Sequence, residues 1–263
     1  MKKALKKLQS KFVKTTVLNE TVIGGTTYRV VEKTSILPWY KNKRALCFKS
    51  PQEPNSVYVH SIIYNTSKAH YQPALIVPQK LIEFWHKYYK PQNALILGAA
   101  GCTVPRFIAL NFPEMQTVGI EYCSEFIEMA NKYFFVSQIS DRFILLEGDA
   151  FDYVINKRNS EKQDIIFVDV FDKTSIPEEL FSEEFLNSLD EQTNEDSLII
   201  FNLLTLNKEN AKSFANTIKV PFSKKILIFN GNSVMLALVK STDSRKTDDF
   251  FREIHIFDRI VEC

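Results

Sequence analysis

The sequence predicts an α/β protein in which a doubly wound sheet of seven strands follows a small β-rich domain. Three observations lead to this prediction. From residue 94 onward, short apolar runs typical of buried strands alternate with segments whose apolar residues recur at helical spacing. The first run, 94–97, is followed directly by Gly98 and Gly101 and then by a helical pattern. Upstream of residue 64, short segments of strand composition are separated by glycine and proline.

Seven apolar runs define the strands of the main domain. Helical patterns fill the first five gaps between them, and Gly231-Asn232 joins the last two runs as a tight hairpin. Five βα units followed by an antiparallel hairpin describe a doubly wound sheet with one reversed strand. The tail, 247–261, has apolar residues at helical spacing, so we expect a closing helix that covers the core. The predicted strands are 94–97, 117–121, 142–147, 164–169, 197–204, 225–230 and 233–239.

Three segments are predicted along the chain. Residues 1–14 carry six lysines and no acidic residue, and we expect a solvated basic arm there. Residues 15–72 form the small β-rich domain, and residues 73–263, which open with a helical pattern, form the main domain. The strands predicted in the small domain are 26–31, 45–48 and 57–63.

Composition and charge exclude several classes of protein. Lys+Arg 33 against Asp+Glu 31 gives a net charge of +2, so no overall field indicates a nucleic-acid partner. No apolar run reaches the roughly 18 residues of a membrane span, and the basic start lacks the apolar stretch of a signal peptide. The four cysteines form no C-x-x-C pair and the four histidines are dispersed, which predicts reduced thiols, no metal site and a cytoplasmic location.

Acidic residues stand where the predicted strands end. Glu121 ends the second strand, Asp149 follows the third, and Asp169 ends the fourth, with Asp172 three residues on. One Asp after a strand is usually a helix cap. Four acids in successive places beside a glycine turn instead indicate a ligand site, because the carboxyl ends of the strands meet in one crevice.

The ligand suggested by this arrangement is a nucleoside. The glycine turn lies at a helix N-terminus, and Glu121 can accept hydrogen bonds from both ribose hydroxyls. The turn lacks the third glycine of the G-x-G-x-x-G fingerprint, which disfavours a nicotinamide-dependent dehydrogenase. The absence of a G-x-S-x-G elbow and of an H-E-x-x-H motif leaves hydrolase chemistry without support.

The order GAAGC, Glu121, GDA, DVFD and terminal hairpin resembles the Rossmann-like fold of class I S-adenosylmethionine-dependent methyltransferases. More closely, it resembles the spermidine synthase (polyamine aminopropyltransferase) superfamily and its methyltransferase-like relatives. The D-x-x-D segment from Asp169 to Asp172 and the following segment IPEELFSEEF resemble motifs of that superfamily. The small β-rich domain matches its N-terminal sheet, and Tyr71 lies where it has a tyrosine-containing motif.

The resemblance implies a role for each site residue. It places Gly98 and Gly101 against the methionine part of S-adenosylmethionine, or of its decarboxylated form, and it places Glu121 on the ribose. Asp149 would accept a hydrogen bond from the adenine amino group, with Ala150 beside it. The implied catalytic residues are Asp169 nearest the transferred group, where it also touches the cofactor, Asp172 on a cationic acceptor, and Tyr71.

Two departures from the superfamily bear on the reaction. Polyamine synthases typically read G-G-G-D-G-G, and Gly101 occupies the position of their acid. Their Y-P-S-G-type segment is also missing before the final strands. Both losses remove features of the diamine site, so the sequence favours methyl transfer to an amine over aminopropyl transfer.

Several alternatives stay open at this stage. Polyamine aminopropyl transfer is the first, and a nucleoside-binding protein that has lost catalysis is the second. The acceptor can be a small-molecule or a protein amine. A homodimer is compatible with the sequence, and neither a membrane nor a nucleic acid is an expected partner.

Overall fold

The computed structural model describes residues 12–37, 41–49, 57–65, 70–156, 161–172, 175–204, 206–219 and 222–263. Most of the predicted basic arm therefore lies outside the described residues. Within these ranges the chain forms two sheets and seven α-helices. The α/β class, the mostly parallel central sheet and the small N-terminal sheet are confirmed.

The N-terminal sheet is antiparallel, with its strands in chain order. Its first strand was not predicted individually because its residues are mostly polar and exposed. Gly24 and Gly25, with φ of 55° and 80°, form the turn that joins this strand to the next. The four strands are β1 (Val13–Ile23), β2 (Thr26–Ser35), β3 (Lys43–Lys49) and β4 (Tyr58–Tyr64).

The central sheet has eight strands in the described part of the chain, one more than predicted. Its order is β12-β10-β11-β9-β8-β5-β6-β7, and the five strands β5 to β9 are parallel. From β5 the chain adds β6 and β7 on one side, and it then adds β8 and β9 on the other side of β5. A crevice opens where the strand order reverses, at the carboxyl ends of β5 and β8. The strands are β5 (Asn93–Leu97), β6 (Gln116–Glu121), β7 (Phe143–Glu147), β8 (Gln163–Val168), β9 (Thr193–Asn202), β10 (Lys224–Asn230), β11 (Ser233–Lys240) and β12 (Arg259–Glu262).

Two layers of helices cover the faces of this sheet. Val77, Val104 and Phe250 belong to the apolar cluster on one face, and Val154 and Phe185 belong to the cluster on the other. The doubly wound arrangement is thereby confirmed. The helices before the tail are α1 (Ile76–Tyr89), α2 (Thr103–Asn111), α3 (Ser124–Tyr133), α4 (Ala150–Asn156), α5 (Glu183–Glu191) and α6 (Lys208–Thr217).

The prediction of one helix over 247–261 was wrong for the end of the tail. Helix α7 (Ser244–Ile254) is capped by Asp243, whose Oδ1 accepts hydrogen bonds from two backbone N–H groups, and it ends before the turn at Phe257. The chain then forms β12, which pairs antiparallel with β10. Pairing there satisfies backbone groups that β10 would otherwise expose at the sheet edge, which a longer helix could not do.

The small sheet packs against α3 and the start of α2. Val30, Leu46 and Ile63 form one buried cluster with Met129 and Phe134. The backbone N–H of Gly101 donates to Ser61 Oγ at 3.2 Å, and Thr103 Oγ1 donates to the carbonyl of Ile62 at 3.1 Å. These contacts bring β4 beside the glycine turn.

The four cysteines, Cys47, Cys102, Cys123 and Cys263, are free. Burial raises the pKa of the Cys102 thiol, and the negative charge of Glu121 acts in the same direction. Among the described residues, no three His, Cys, Asp or Glu side chains lie close enough to hold a metal ion. In the same ranges, no helix combines the length and the apolarity needed to cross a membrane.

Candidate active site

The glycine turn lies between the ends of β5, β6 and β8. The N–H groups of Gly98 and Ala99 donate to the carbonyl of Ile120 at 2.9 and 3.1 Å. Gly98 has a φ of 83°, and a Cβ there would lie 2.3 Å from the carbonyl oxygen of Asp169. A Cβ on Gly101 would lie 2.5 Å from Cβ of Ser61. Both predicted glycines are therefore sterically required by the turn.

Glu121 ends β6 and is only 7% exposed. One carboxylate oxygen accepts the N–H of Ala100 at 2.7 Å, and the other accepts the N–H of Cys123 at 3.0 Å. Burial raises the pKa of Glu121, while these backbone hydrogen bonds act in the opposite direction. The carboxylate thus ties the glycine turn to the start of α3, and each oxygen keeps a lone pair that a ribose hydroxyl could use.

Asp169 follows β8, and its N–H donates to the carbonyl of Leu97 at 2.8 Å. Its side chain is half-buried, and Oδ1 accepts a hydrogen bond from Nδ2 of Asn202 at 2.7 Å. Burial raises the pKa of Asp169 to about 7, and the charge of Glu121 acts in the same direction. The hydrogen bond from Asn202 opposes this effect. A carboxyl group with a pKa near neutrality is suited to accept a proton at physiological pH.

A cleft runs between the glycine turn and the small sheet. Asp169 and Gly98 line one side, and His60 and Ser61 of β4 line the other. Leu75, Ile96 and Phe167 add apolar surface. None of the described residues that line the cleft is a lysine or an arginine. The cleft therefore presents one carboxylate and one imidazole in otherwise mostly apolar surroundings.

The structure does not bring all the predicted site residues to this cleft. Asp149 Oδ1 accepts the N–H of Asp152 at 3.0 Å, so it caps α4, whose first residue Ala150 is buried. Asp172 is exposed, and its backbone N–H and carbonyl both bond Ser175 at 2.8 and 3.0 Å. The proposed contacts of these residues with adenine and with the acceptor stay predictions.

Tyr71 is held by contacts with helices α1 and α2. Its hydroxyl donates to Glu83 of α1, and the ammonium of Lys80 lies 4.2 Å from the centre of its ring. Its ring also packs against Phe107, with the centroids 5.4 Å apart. Tyr71 is not among the residues that line the cleft, so its catalytic role stays a prediction without geometric support.

Three residues at the site were not predicted from the sequence: His60 and Ser61, which line the cleft, and Asn202, which donates to Asp169. Asn202 ends β9 as Asp169 ends β8, so the rule that ligands meet the carboxyl ends of strands could have found it. His60 and Ser61 lie on β4, where no sequence signal shows which face packs beside the glycine turn. His60 is held by Ser61 Oγ, 3.3 Å from its Nδ1, and by the ring of Phe126, whose centroid lies 5.4 Å away.

Comparison with known proteins shows which sequences and structures this chain is similar to. The polyamine aminopropyltransferase of Vibrio vulnificus (strain CMCP6) is 27% identical over 163 residues, which are 60% of this chain and 54% of that protein. The chain thus matches about half the length of this curated relative. A probable spermidine synthase from Corynebacterium glutamicum has a similar structure, with a TM-score of 0.64 at 14% identity, covering 90% of this chain and 87% of that chain.

A second fold neighbour is named as methyltransferase-like. Human Methyltransferase-like protein 13 in complex with SAH has a TM-score of 0.56 at 19% identity, covering 69% of this chain and 90% of that chain. At these identities both structural similarities support the fold alone. The family described as Spermine/spermidine synthase domain matches residues 78–229, which is more than half of the chain. The chain, with its glycine turn and its acids at the strand ends, therefore belongs to the spermine/spermidine synthase domain family.

Proposed function

We propose that this protein is an aminopropyltransferase, which moves the aminopropyl group of decarboxylated S-adenosylmethionine to an amine acceptor. The observation that carries the proposal is the charge of the cleft. Asp169 is its carboxylate, and no lysine or arginine is found among its described lining residues. A donor that retained its amino-acid carboxylate would bury that charge without a cationic side chain as partner, whereas the decarboxylated donor and an amine acceptor are both cations. The relatives named polyamine aminopropyltransferase favour the same choice.

The residues present fit such a donor. The turn at Gly98 offers backbone without side chains, and Glu121 offers a carboxylate within the same turn for the ribose. Asp149 and Ala150 follow the neighbouring strand β7, where they would flank the adenine. When bound, the donor supplies a carbon made electrophilic by the adjacent sulfonium.

The protein would align the acceptor and remove its proton. An amine is protonated at neutral pH and has no free electron pair, so it must lose a proton before or during attack. Asp169 attracts the ammonium group and accepts this proton. The amine nitrogen then forms the N–C bond while the C–S bond breaks, and the electron pair of that bond stays on sulfur. The products are an extended amine and a neutral thioether nucleoside.

Methyl transfer is the second candidate, and Gly101 favours it. In the polyamine synthases that the sequence resembles, an acid at this position contacts the amino groups of donor and acceptor. Here a Cβ at position 101 would lie 2.5 Å from Cβ of Ser61, so the turn has no room for that carboxylate as it is built. The loss of this acid removes a contact of the diamine site and leaves the nucleoside-binding turn intact, which favours methyl transfer.

Product mass separates the two candidates. Purified protein is incubated with either decarboxylated or intact S-adenosylmethionine and a panel of monoamines, diamines and polyamines. We expect a gain of one aminopropyl group with the decarboxylated donor and a turnover about 10²–10⁴-fold lower in Asp169→Asn. A gain of one methyl group would support the second candidate and overturn the first. No product from either donor would favour the non-catalytic nucleoside-binding alternative.

A further inference from the structure

Asn202, the last residue of β9, is buried beside Asp169 and uses both ends of its side-chain amide. The amide nitrogen donates to Oδ1 of Asp169 at 2.7 Å, and the amide oxygen accepts the backbone N–H of Leu204 at 3.2 Å. Its side chain is nearly inaccessible, with 8% of the residue exposed. Because the N–H of Leu204 can only donate, it fixes the amide orientation, and the NH₂ group must face Asp169.

This hydrogen bond orients the Asp169 carboxylate. Among the described residues, no other side-chain or backbone group donates to that carboxylate. With Oδ1 held by Asn202, rotation of the carboxylate about its last bond is restricted, and Oδ2 keeps its lone pairs for a group in the cleft. Precise placement of a proton acceptor matters because a small displacement of a catalytic group lowers the rate strongly.

The same bond also acts on the charge of Asp169. Burial and the nearby Glu121 both favour its neutral form, and a donor that faces the carboxylate favours its ionised form. The other titratable group that lines the cleft is His60, on the opposite wall. Asn202 is thus the described group that stabilises the ionised carboxylate through a direct hydrogen bond.

We infer that Asn202 is a positioning residue. It orients the Asp169 carboxylate toward the cleft and keeps it ionised, so that Asp169 can take a proton from the amine substrate. The catalytic consequence of this inference rests on the proposed function. The effect of the Asn202 amide on the ionisation of Asp169 can be tested without any reaction.

The test uses two substitutions of Asn202 and one matched control. Asn202→Leu has a similar side-chain volume and removes both the donor to Asp169 and the acceptor for the N–H of Leu204. Asn202→Ala removes the same two groups with a smaller side chain, and neither variant adds a charge beside Asp169. Asn207→Asp is the control, because Asn207 caps α6 through its side-chain oxygen and aspartate caps a helix equally well. The titration of the Asp169 carboxyl carbon is followed by NMR on protein labelled at aspartate, and its signal is assigned by its loss in Asp169→Asn. In a separate experiment, kcat/KM is measured as a function of pH.

We expect the titration midpoint of Asp169 to rise by about one pH unit or more in both Asn202 variants and to stay unchanged in Asn207→Asp. Below the midpoint, kcat/KM should then fall about tenfold relative to the unmodified protein, and the acid limb of the profile should move to higher pH. If Asn202 only anchors Leu204, the midpoint of Asp169 will be the same in the Asn202 variants as in the unmodified protein, which would overturn the inference. Asn202→Ala decides the question if Asn202→Leu does not fold.

Failure of the proposed function can be told apart from failure of this inference. If no aminopropyl product forms, the proposed function fails, and the NMR titration still decides whether Asn202 controls Asp169. If product forms but the midpoint of Asp169 is unmoved in the Asn202 variants, the inference fails and the proposed function stands.

Discussion

Asp169→Asn should stabilise the folded protein at alkaline pH and leave its stability nearly unchanged at acidic pH. Burial raises the pKa of Asp169 to about 7, whereas an aspartate in an unfolded chain titrates near pH 3.9. Between these two values the folded state binds more protons than the unfolded state, so stability falls as pH rises from about 4 to about 7. Above pH 7 the full cost of the charge is present, and asparagine removes it.

The two pKa values set the size of the effect. They differ by about three pH units, and each unit corresponds to about 1.4 kcal/mol, which gives an upper limit of about 4 kcal/mol. The side chain is only half-buried, so water in the cleft screens part of this cost. We expect about 1–2 kcal/mol, or roughly 2–8 °C in melting temperature for a domain of this size. Asparagine preserves the hydrogen bond from Asn202 because its side-chain oxygen can replace Oδ1.

Thermal unfolding at pH 5 and at pH 8.5 measures this difference. Asp172→Asn is the matched control, because Asp172 lies on the same segment and is exposed, and its melting temperature should change little at either pH. An Asp169→Asn protein that is no more stable than the unmodified protein at pH 8.5 would refute the reasoning. Equal stabilisation at both pH values would refute it as well, since the gain would then not come from the charge.

Two further predictions concern the glycine turn. If Glu121 binds the ribose as proposed, Glu121→Ala should weaken binding of the thioether nucleoside about tenfold or more, because charge-assisted hydrogen bonds would be lost. The same change should lower the free energy of unfolding by about 1–3 kcal/mol, because the N–H groups of Ala100 and Cys123 lose their acceptor. Calorimetric titration and denaturant unfolding measure the two effects, and unchanged affinity would contradict the ribose assignment. Gly98→Ala should lower the free energy of unfolding by about 3 kcal/mol or more, because the new Cβ would meet the carbonyl of Asp169. Gly24 has a φ of 55°, and no atom would lie within 4 Å of a Cβ there. Gly24→Ala should therefore lower the free energy of unfolding by only about 1–2 kcal/mol. Equal losses of stability in these two variants would show that strain, and not the clash, is what requires a glycine at position 98.

The sequence predicted the central sheet well because most of its strands are buried on both faces; β7, at the edge, is an apolar run whose Ile144 and Leu146 are exposed. Such strands appear as continuous apolar runs, so the seven predicted runs fall on β5 to β11. Strand β1 was missed because its side chains are largely solvent-exposed and show no apolar pattern. Strand β12 was missed because it is stabilised by pairing with the open edge of β10, and the residues of β12 alone do not indicate that pairing.

The same distinction holds for the site. Gly98, Glu121 and Asp169 were predicted because the carboxyl ends of parallel strands meet at one edge, and the structure brings all three together at the glycine turn. The position of Tyr71 did not follow from sequence, because the contact that holds its hydroxyl comes from Glu83, 12 residues later in helix α1. His60 could not be assigned either, since its place depends on how two sheets pack against each other.

The packing of the small sheet extends the candidate site beyond the part of the chain that the family domain matches. The matched region begins at residue 78, yet His60 and Ser61, which lie before it, form one wall of the cleft. Ser61 also accepts the N–H of Gly101, so the small sheet shapes the turn itself. Two members of the family with the same residues at the glycine turn and at Asp169 could therefore select different acceptors. The variation responsible would lie in a segment that comparison of the shared domain alone leaves out.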